Sequence, residues 1–265
     1  MQDLNITLIQ SELHWKDPDA NLAMFEEKIW QIEKATDVIV LPEMLTTGFN
    51  MDSEELAEPV NFRAYKWFRQ MAEQTKAAVT GSVIIKDEDK YYNRLIWMEP
   101  DGKCRTYDKR HLFRMADEHA HYSPGDQRLI VTWRDWRICP MICYDLRFPV
   151  WSRNTYLTDL HRMNYDLLLF VANWPAARVN AWDILLKARA VENLAYCAGV
   201  NRVGTDGNDI AYCGHSAVID FKGNEVADLG EQQTIKSVTL AAGDLQKYRK
   251  KFPAYLDADK FSVVF

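Results

Sequence analysis

The sequence predicts a layered α/β fold, with two β-sheets packed together and helices on the outside. Three observations carry this expectation. Short apolar strands alternate with segments of helical period, and a run of strands joined by tight turns interrupts the alternation. Several strands are also too uniformly apolar to leave one face in water.

Leu4–Gln10 alternates apolar and polar side chains for part of its length and reads as the first strand. Asp17-Pro18 supplies an N-cap and a proline for the first helical position, so a helix is expected from there to about Lys34. Its apolar face would carry Leu22, Phe25, Ile29 and Ile32 or Trp30. Val38–Leu41 follows as a short strand covered on both faces, closing a strand–helix–strand unit beside Glu43. A second helix is expected over Arg63–Lys76 and a strand over Ala78–Ile85. Turn residues at Asp87–Lys90 and Pro100–Lys103 flank a strand at Tyr91–Met98, so this region reads as an antiparallel meander. Leu129–Trp133 and Arg137–Cys143 read as strands, followed by a helix near Trp151–Met163 and a buried strand at Asp166–Ala172. A long helix from about Ala181 to Tyr196 and strands at Tyr196–Val203, His215–Asp220 and Ser237–Ala241 complete the set.

No Pro/Gly/Ser-rich linker, single-sign charge block or internal repeat divides the 265 residues, so one domain is expected. Apolar residues at 48% and charged residues at 26% exclude disordered, collagenous and disulfide-miniprotein classes. Lys plus Arg number 32 against 38 Asp plus Glu, and a net charge of −6 argues against a nucleic-acid partner. The longest apolar run, Leu167–Ala172, is six residues, far short of the ~20 that cross a bilayer, so no membrane span is expected. Gln2, Asp3 and Asn5 stand where an export signal would be basic and then apolar, which predicts a cytoplasmic protein. In that reducing setting the five cysteines are expected to be thiols, at least one of them available for chemistry.

Cys143 stands in Met141-Ile142-Cys143-Tyr144-Asp145, where an apolar strand gives way to a turn. Such a place exposes a side chain and leaves backbone N–H groups free at the turn, which suits a nucleophile and its oxyanion donors. Read singly, a buried cysteine behaving as a small hydrophobe is the ordinary alternative. Glu43 occupies a similar place after Pro42, and a carboxylate there could take a thiol proton; a surface-loop acid is its ordinary alternative. Lys109, in Tyr107-Asp108-Lys109-Arg110-His111-Leu112-Phe113, follows another strand, where most lysines are simply solvated.

The three motifs occur in the order Leu41-Pro42-Glu43-Met44, Lys109 before Arg110-His111-Leu112-Phe113, and Cys143-Tyr144-Asp145-Leu146-Arg147-Phe148-Pro149, with the key residues 66 and 34 positions apart. Together they resemble the nitrilase superfamily of carbon–nitrogen hydrolases, and the resemblance spans essentially the whole chain. It implies a four-layer α-β-β-α sandwich, with Glu43 as general base, Cys143 as nucleophile and Lys109 as the cation that stabilises the tetrahedral intermediate. Glu118, six residues before Pro124, matches a second family glutamate that contacts the lysine. The backbone N–H of Tyr144 would complete the oxyanion hole with Lys109. Neither a metal nor an organic cofactor is implied.

Other features carry less. His119 and His121 form a His-x-His pair without further ligands at recognisable spacing, so no metal site is expected. Cys139 would share a strand face with Cys143, but a redox pair is not expected, and Arg202 with Gly199, Gly204 and Gly207 does not form a phosphate loop.

The Cys143–Pro149 motif looks most like the omega-amidase branch, whose members remove the terminal amide of 2-oxoglutaramate or 2-oxosuccinamate. Such a substrate carries a carboxylate, and Arg110, Arg114 and Arg147 are the cations nearest the motifs, with Arg147 preferred. Phe49, Asn173 and Trp174 are placed at the pocket wall. Two features depart from the common pattern: Cys139-Pro140 stands where many members have glycine, and Asn173-Trp174-Pro175 also resembles some carbamoyl-amide hydrolases. Hydrolysis of N-carbamoyl compounds, other small amides or nitriles is therefore the alternative, and an interaction module with a relic triad is the non-enzymatic one. Retention of Glu43, Lys109, Glu118 and Cys143 together argues against a relic. By analogy with the family, a homodimer or higher homo-oligomer is expected, with the apolar segment 252–265 a candidate for the subunit interface.

Overall fold

The computed structural model describes residues 1–259, 261 and 262. Two sheets face one another. The first has the strand order Thr234–Leu240, Leu4–Gln10, Val38–Val40, Ala78–Asp87, Lys90–Met98, Cys104–Asp108, with the short Glu58–Pro59 pairing beside Ala78–Asp87. The second runs Glu225–Asp228, Ala217–Ile219, Tyr196–Val200, Leu167–Val171, Trp136–Ile142, Val131–Trp133. Each sheet has three parallel central strands and antiparallel edges.

Side-chain alternation explains why the strands of the first sheet are apolar throughout. Leu4, Ile6, Leu8, Val38, Val40, Leu95 and Trp97 join the core between the sheets. Their neighbours Ile9, Ile39, Ile96 and Met98 join a second core with Phe25 and Ile29 of helix Pro18–Trp30 and Phe68 and Met71 of helix Arg63–Thr75. Successive side chains of a strand point to opposite faces, so one strand feeds two cores. On the far side, Trp182, Leu186 and Ala190 of helix Val179–Asn193 cover the second sheet. The layers are therefore helix, sheet, sheet, helix, as the sequence predicts.

The first helix begins as predicted, with the Asp17 side chain accepting from the Ala20 N–H at 3.0 Å, but ends at Trp30, whose ring is exposed. The helix expected near Trp151–Met163 is not formed. Pro149–Ser152 makes one turn, and Tyr156–Leu157 then pairs with Arg162–Met163 as a small antiparallel ribbon. Asn154 is the reason: its side chain donates to the carbonyls of Tyr165 and Asn193 and accepts from the Tyr165 N–H, an arrangement that competes with helix continuation. The strand expected over Tyr196–Val203 stops at Val200, and Val203–Thr205 instead forms a hairpin with Ala211–Cys213. Helix Ala242–Lys251 and strand Glu225–Asp228 were not expected; the helix buries only Ala242 and Leu245, too few for a legible apolar stripe. Of the segment 252–265, Tyr255 packs its ring 4.7 Å from that of Tyr156, while residues 260 and 263–265 lie outside the described residues. Among the described residues no helix is long and apolar enough to cross a membrane.

This topology positions the site. Glu43 follows the carboxyl end of Val38–Val40, Lys109 that of Cys104–Asp108, Cys143 that of Trp136–Ile142 and Asn173 that of Leu167–Val171. The crevice outside the carboxyl ends of parallel strands is where open α/β sheets bind ligands.

Candidate active site

Cys143 leaves its strand at φ +41° and opens the 3-10 turn Cys143–Arg147. Met44, directly after Glu43, is also left-handed at φ +42°. Non-glycine residues held there cost of order 1–3 kcal/mol each, and such strain gathers at functional sites. Helical turns also leave their first N–H groups without an internal acceptor, so the Tyr144 N–H stands at the turn's open end beside the thiol.

The residues drawn from three remote motifs meet. Lys109 Nζ donates to Glu43 Oε1 at 2.8 Å and to Glu118 at 2.9 and 3.0 Å. All three side chains are essentially sealed from solvent, and the Phe113 N–H donates to Glu118 as well. Burial alone would lower the lysine, but the charges of Glu118 and Glu43 outweigh it and hold the ammonium well above its ordinary range. Burial raises Glu118, Lys109 opposes the rise, and the Glu43 charge adds to it. Cys143 is 8% exposed, so the sequence expectation of an exposed side chain gives way to a thiol at a cavity floor. Burial pushes this thiol well above its ordinary value; the Glu43 charge reinforces the shift while Lys109 opposes it.

Further hydrogen bonds fix these groups, from Asn93 and Asp145, to which the sequence reading gave no role, and from Asn173, which it placed at the pocket wall. Asn93 donates to Glu43 Oε1 at 2.7 Å while accepting from Ser82 at 2.8 Å. The Asn173 N–H donates to Glu43 Oε2 at 2.8 Å and its side-chain amide to the Glu43 carbonyl at 2.6 Å. Asp145, two residues after Cys143 and fully buried, accepts from four donors: the Ile142 N–H, the His111 N–H, His111 Nδ1 and the Tyr107 hydroxyl, at 2.8 to 3.1 Å. It therefore clips the loop carrying Lys109 to the turn carrying Cys143. Asp145→Asn preserves the volume but removes the charge and sets an amide N–H₂ against donors. A hydrogen bond to a charged group contributes about 1.5–3 kcal/mol, so kcat is expected to fall about 10- to 100-fold with KM little changed. Steady-state kinetics on the variant check this, and a change confined to KM would refute the clip.

A cavity of about 700 Å³ opens above the thiol. Phe49, Lys109, Cys143, Tyr144, Arg147, Asn173 and Trp174, all singled out in the sequence, line it. Glu43 and Glu118 stand behind Lys109. Arg110 and Arg114 do not line the cavity: Arg110 donates to the Gly125 carbonyl at 3.0 Å, and Arg114 is exposed. Arg147 lies 4.9 Å over the Trp174 ring and has no ion-pair partner among the described residues. Trp15, Arg178 and the hairpin residues Gly207, Asn208, Ile210 and Tyr212 also stand on the wall. Their positions in sequence carry no motif. Cys139 is buried within its strand and does not line the cavity, and all five cysteines are free. His119 Nδ1 lies 3.5 Å from Asp117; among the described residues no group of three or more potential metal ligands converges.

A four-layer sandwich with a buried acid, ammonium and thiol at the strand ends defines a hydrolase of the carbon–nitrogen type. The carbon–nitrogen hydrolase profile matches residues 5–250, and the chain belongs to that family, the nitrilase superfamily. It is 48% identical, over the full length of both chains, to an omega-amidase of Yersinia enterocolitica, YafV. It is 32% identical to a 2-oxoglutaramate amidase of Bacillus subtilis over 76% of this chain and 77% of that one. Among solved structures, a CN-hydrolase superfamily protein of Xanthomonas campestris with an arsenic adduct in its active site is 44% identical and superposes with a TM-score of 0.97, covering 100% of both chains.

Proposed function

We propose that this chain hydrolyses the terminal amide of a small dicarboxylate monoamide, 2-oxoglutaramate or 2-oxosuccinamate, to the acid and ammonia. The observation that carries the reading is the meeting of Cys143 with Lys109, itself bonded to Glu43 at 2.8 Å, at one cavity whose wall also holds Arg147, a cation with no ion-pair partner among the described residues. The relatives named omega-amidase and 2-oxoglutaramate amidase support the substrate class.

In the proposed cycle Glu43 accepts the thiol proton as Cys143 Sγ attacks the amide carbonyl carbon. The oxyanion forms against Lys109 Nζ and the Tyr144 N–H, groups whose positions are fixed beforehand. Protonated Glu43 then delivers its proton to the departing nitrogen, the carbon–nitrogen bond breaks and ammonia leaves a thioester on Cys143. A water enters, Glu43 takes its proton, and hydroxide addition followed by loss of the sulfur returns the acid and the thiol. Glu118 acts as a positioning residue that, with Glu43, holds Lys109. Phe49, whose ring lies 5.1 Å from Lys109 Nζ, Asn173 and Trp174 bound the substrate, and Arg147 meets its carboxylate. A relic in an interaction module would have no need to keep an ammonium buried between two carboxylates, an arrangement costly to desolvate.

Ammonia release from 2-oxoglutaramate, 2-oxosuccinamate, N-carbamoyl amino acids and simple nitriles tests the reading. The two oxo-acid amides are expected to exceed the others by at least about 100-fold in kcat/KM, the discrimination available when a buried polar site loses its partner. A preference for N-carbamoyl compounds would establish the alternative carbamoyl-amide reading, and no turnover of any of them would leave the interaction module.

A further inference from the structure

We infer that Arg178, acting with Arg147, forms the seat for the substrate's carboxylate head and thereby selects acidic amides over neutral ones of the same length. This rests on the amidase reading above and adds a second cation to it.

Among the described residues, four cationic side chains line the cavity: Lys16, Lys109, Arg147 and Arg178. Lys16 is paired with Asp52 at 2.6 Å, and Lys109 is shared between Glu43 and Glu118. Arg147 and Arg178 remain, and neither has a carboxylate within ion-pair distance among the described residues. Both are half-buried rather than dangling in solvent. Half-buried guanidinium groups without a counter-charge are a standing attraction for an anion, and the neighbouring walls are largely apolar, which leaves that charge weakly screened.

The two arginines are also held in place. Arg147 stacks over the Trp174 ring at 4.9 Å, and Arg178 lies 5.5 Å over the Phe113 ring. The Trp174 indole N–H donates to the Arg178 carbonyl at 2.9 Å, so the ring that carries one guanidinium pins the backbone of the other. Trp174 is itself fixed, its N–H donating to Asn201 Oδ1 at 2.7 Å and its carbonyl accepting from Asn201 Nδ2 at 3.0 Å. Arg178 Nη2 contacts the Met115 sulfur, a weak neutral acceptor that a carboxylate oxygen would readily displace. The guanidinium fork matches a planar carboxylate, and stacking supplies orientation before the ligand arrives.

Steady-state kinetics of the full chain, Arg178→Gln and Arg178→Lys on 2-oxoglutaramate and on neutral pentanamide test this. For the wild type, kcat/KM should favour 2-oxoglutaramate strongly. Arg178→Gln is expected to reduce that preference about 30- to 100-fold, chiefly through KM for the acidic substrate, and Arg178→Lys to recover part of it. A preference that stays the same, whether both substrates are slowed equally or neither is, would overturn the assignment. If the wild type itself treats the two substrates alike, the substrate reading fails, and that is visible before any variant is made.

Discussion

Cys143→Ala is expected to abolish amide hydrolysis, lowering kcat by about 10⁴-fold or more while leaving the fold in place. In the proposed cycle the sulfur forms the bond to substrate carbon, and among the described residues no other thiol lines the cavity: Cys139 and Cys197 are sealed within strands, and Cys104 and Cys213 do not line it. Burial and the Glu43 charge raise this thiol, so in the proposed cycle its proton is removed as it attacks, with Glu43 as the acceptor. Alanine at the same left-handed φ adds no bulk and leaves the four-donor clip on Asp145 intact, so the thermal midpoint should move by only a few degrees. Ammonia release and thermal melts measure the two halves of the expectation. Retained turnover would remove Cys143 as the nucleophile.

Lys109→Met should damage both activity and stability, for one electrostatic reason. The lysine neutralises Glu43 and Glu118, which are buried with it, and its removal leaves two facing carboxylates without a cation. Breaking a buried pair in this way costs about 3–5 kcal/mol. Losing the oxyanion donor that the proposed cycle assigns to this lysine lowers kcat by a further ~10²–10³-fold. The stability defect has a predicted pH dependence. Without Lys109, which opposes the rise, Glu118 binds its proton still more tightly in the folded than in the unfolded chain. A carboxyl raised on folding contributes stability below its unfolded value of about 4.3 and loses it as pH rises through the folded value. The gap between wild type and variant should therefore widen from pH 5 to pH 8. Adding Glu118→Gln should restore part of the stability at pH 8 but not the activity. Melts at both pH values decide the point, and a defect that is constant with pH would show that packing, not charge, was lost.

Much of the site was legible before any coordinates. Glu43, Lys109 and Cys143 each follow a short apolar strand, and strand ends are written in local periodicity that a linear reading detects. Glu118, Arg147, Asn173 and Trp174 lay within or near the same motifs. Asn93 was invisible because it sits in mid-strand, where one polar residue usually marks a solvent-facing position; here that face looks onto Glu43. Arg178 was invisible because nothing in the turn Ala176–Arg178 distinguishes it from a solvated arginine. The misread helix at Trp151–Met163 has a related cause. Apolar spacing suggested a helix, whereas Asn154 hydrogen bonds with the distant Asn193, a competitor that no local window contains.

The sequence by itself determined the strands, most of the helices, the layering and the chemical types assembled for reaction, because side-chain period and turn chemistry act over a few residues. Only the tertiary structure decided which cavity charges lack a partner among the described residues, which thiol lines the cavity and which asparagine and aspartate hold the neighbouring groups in register. Those properties depend on distances between residues as far apart as Glu43 and Asn173, and on the water excluded between them. Coulombic and desolvation energies are functions of space, and the order of residues along the chain carries that information only after the two sheets have closed over one another.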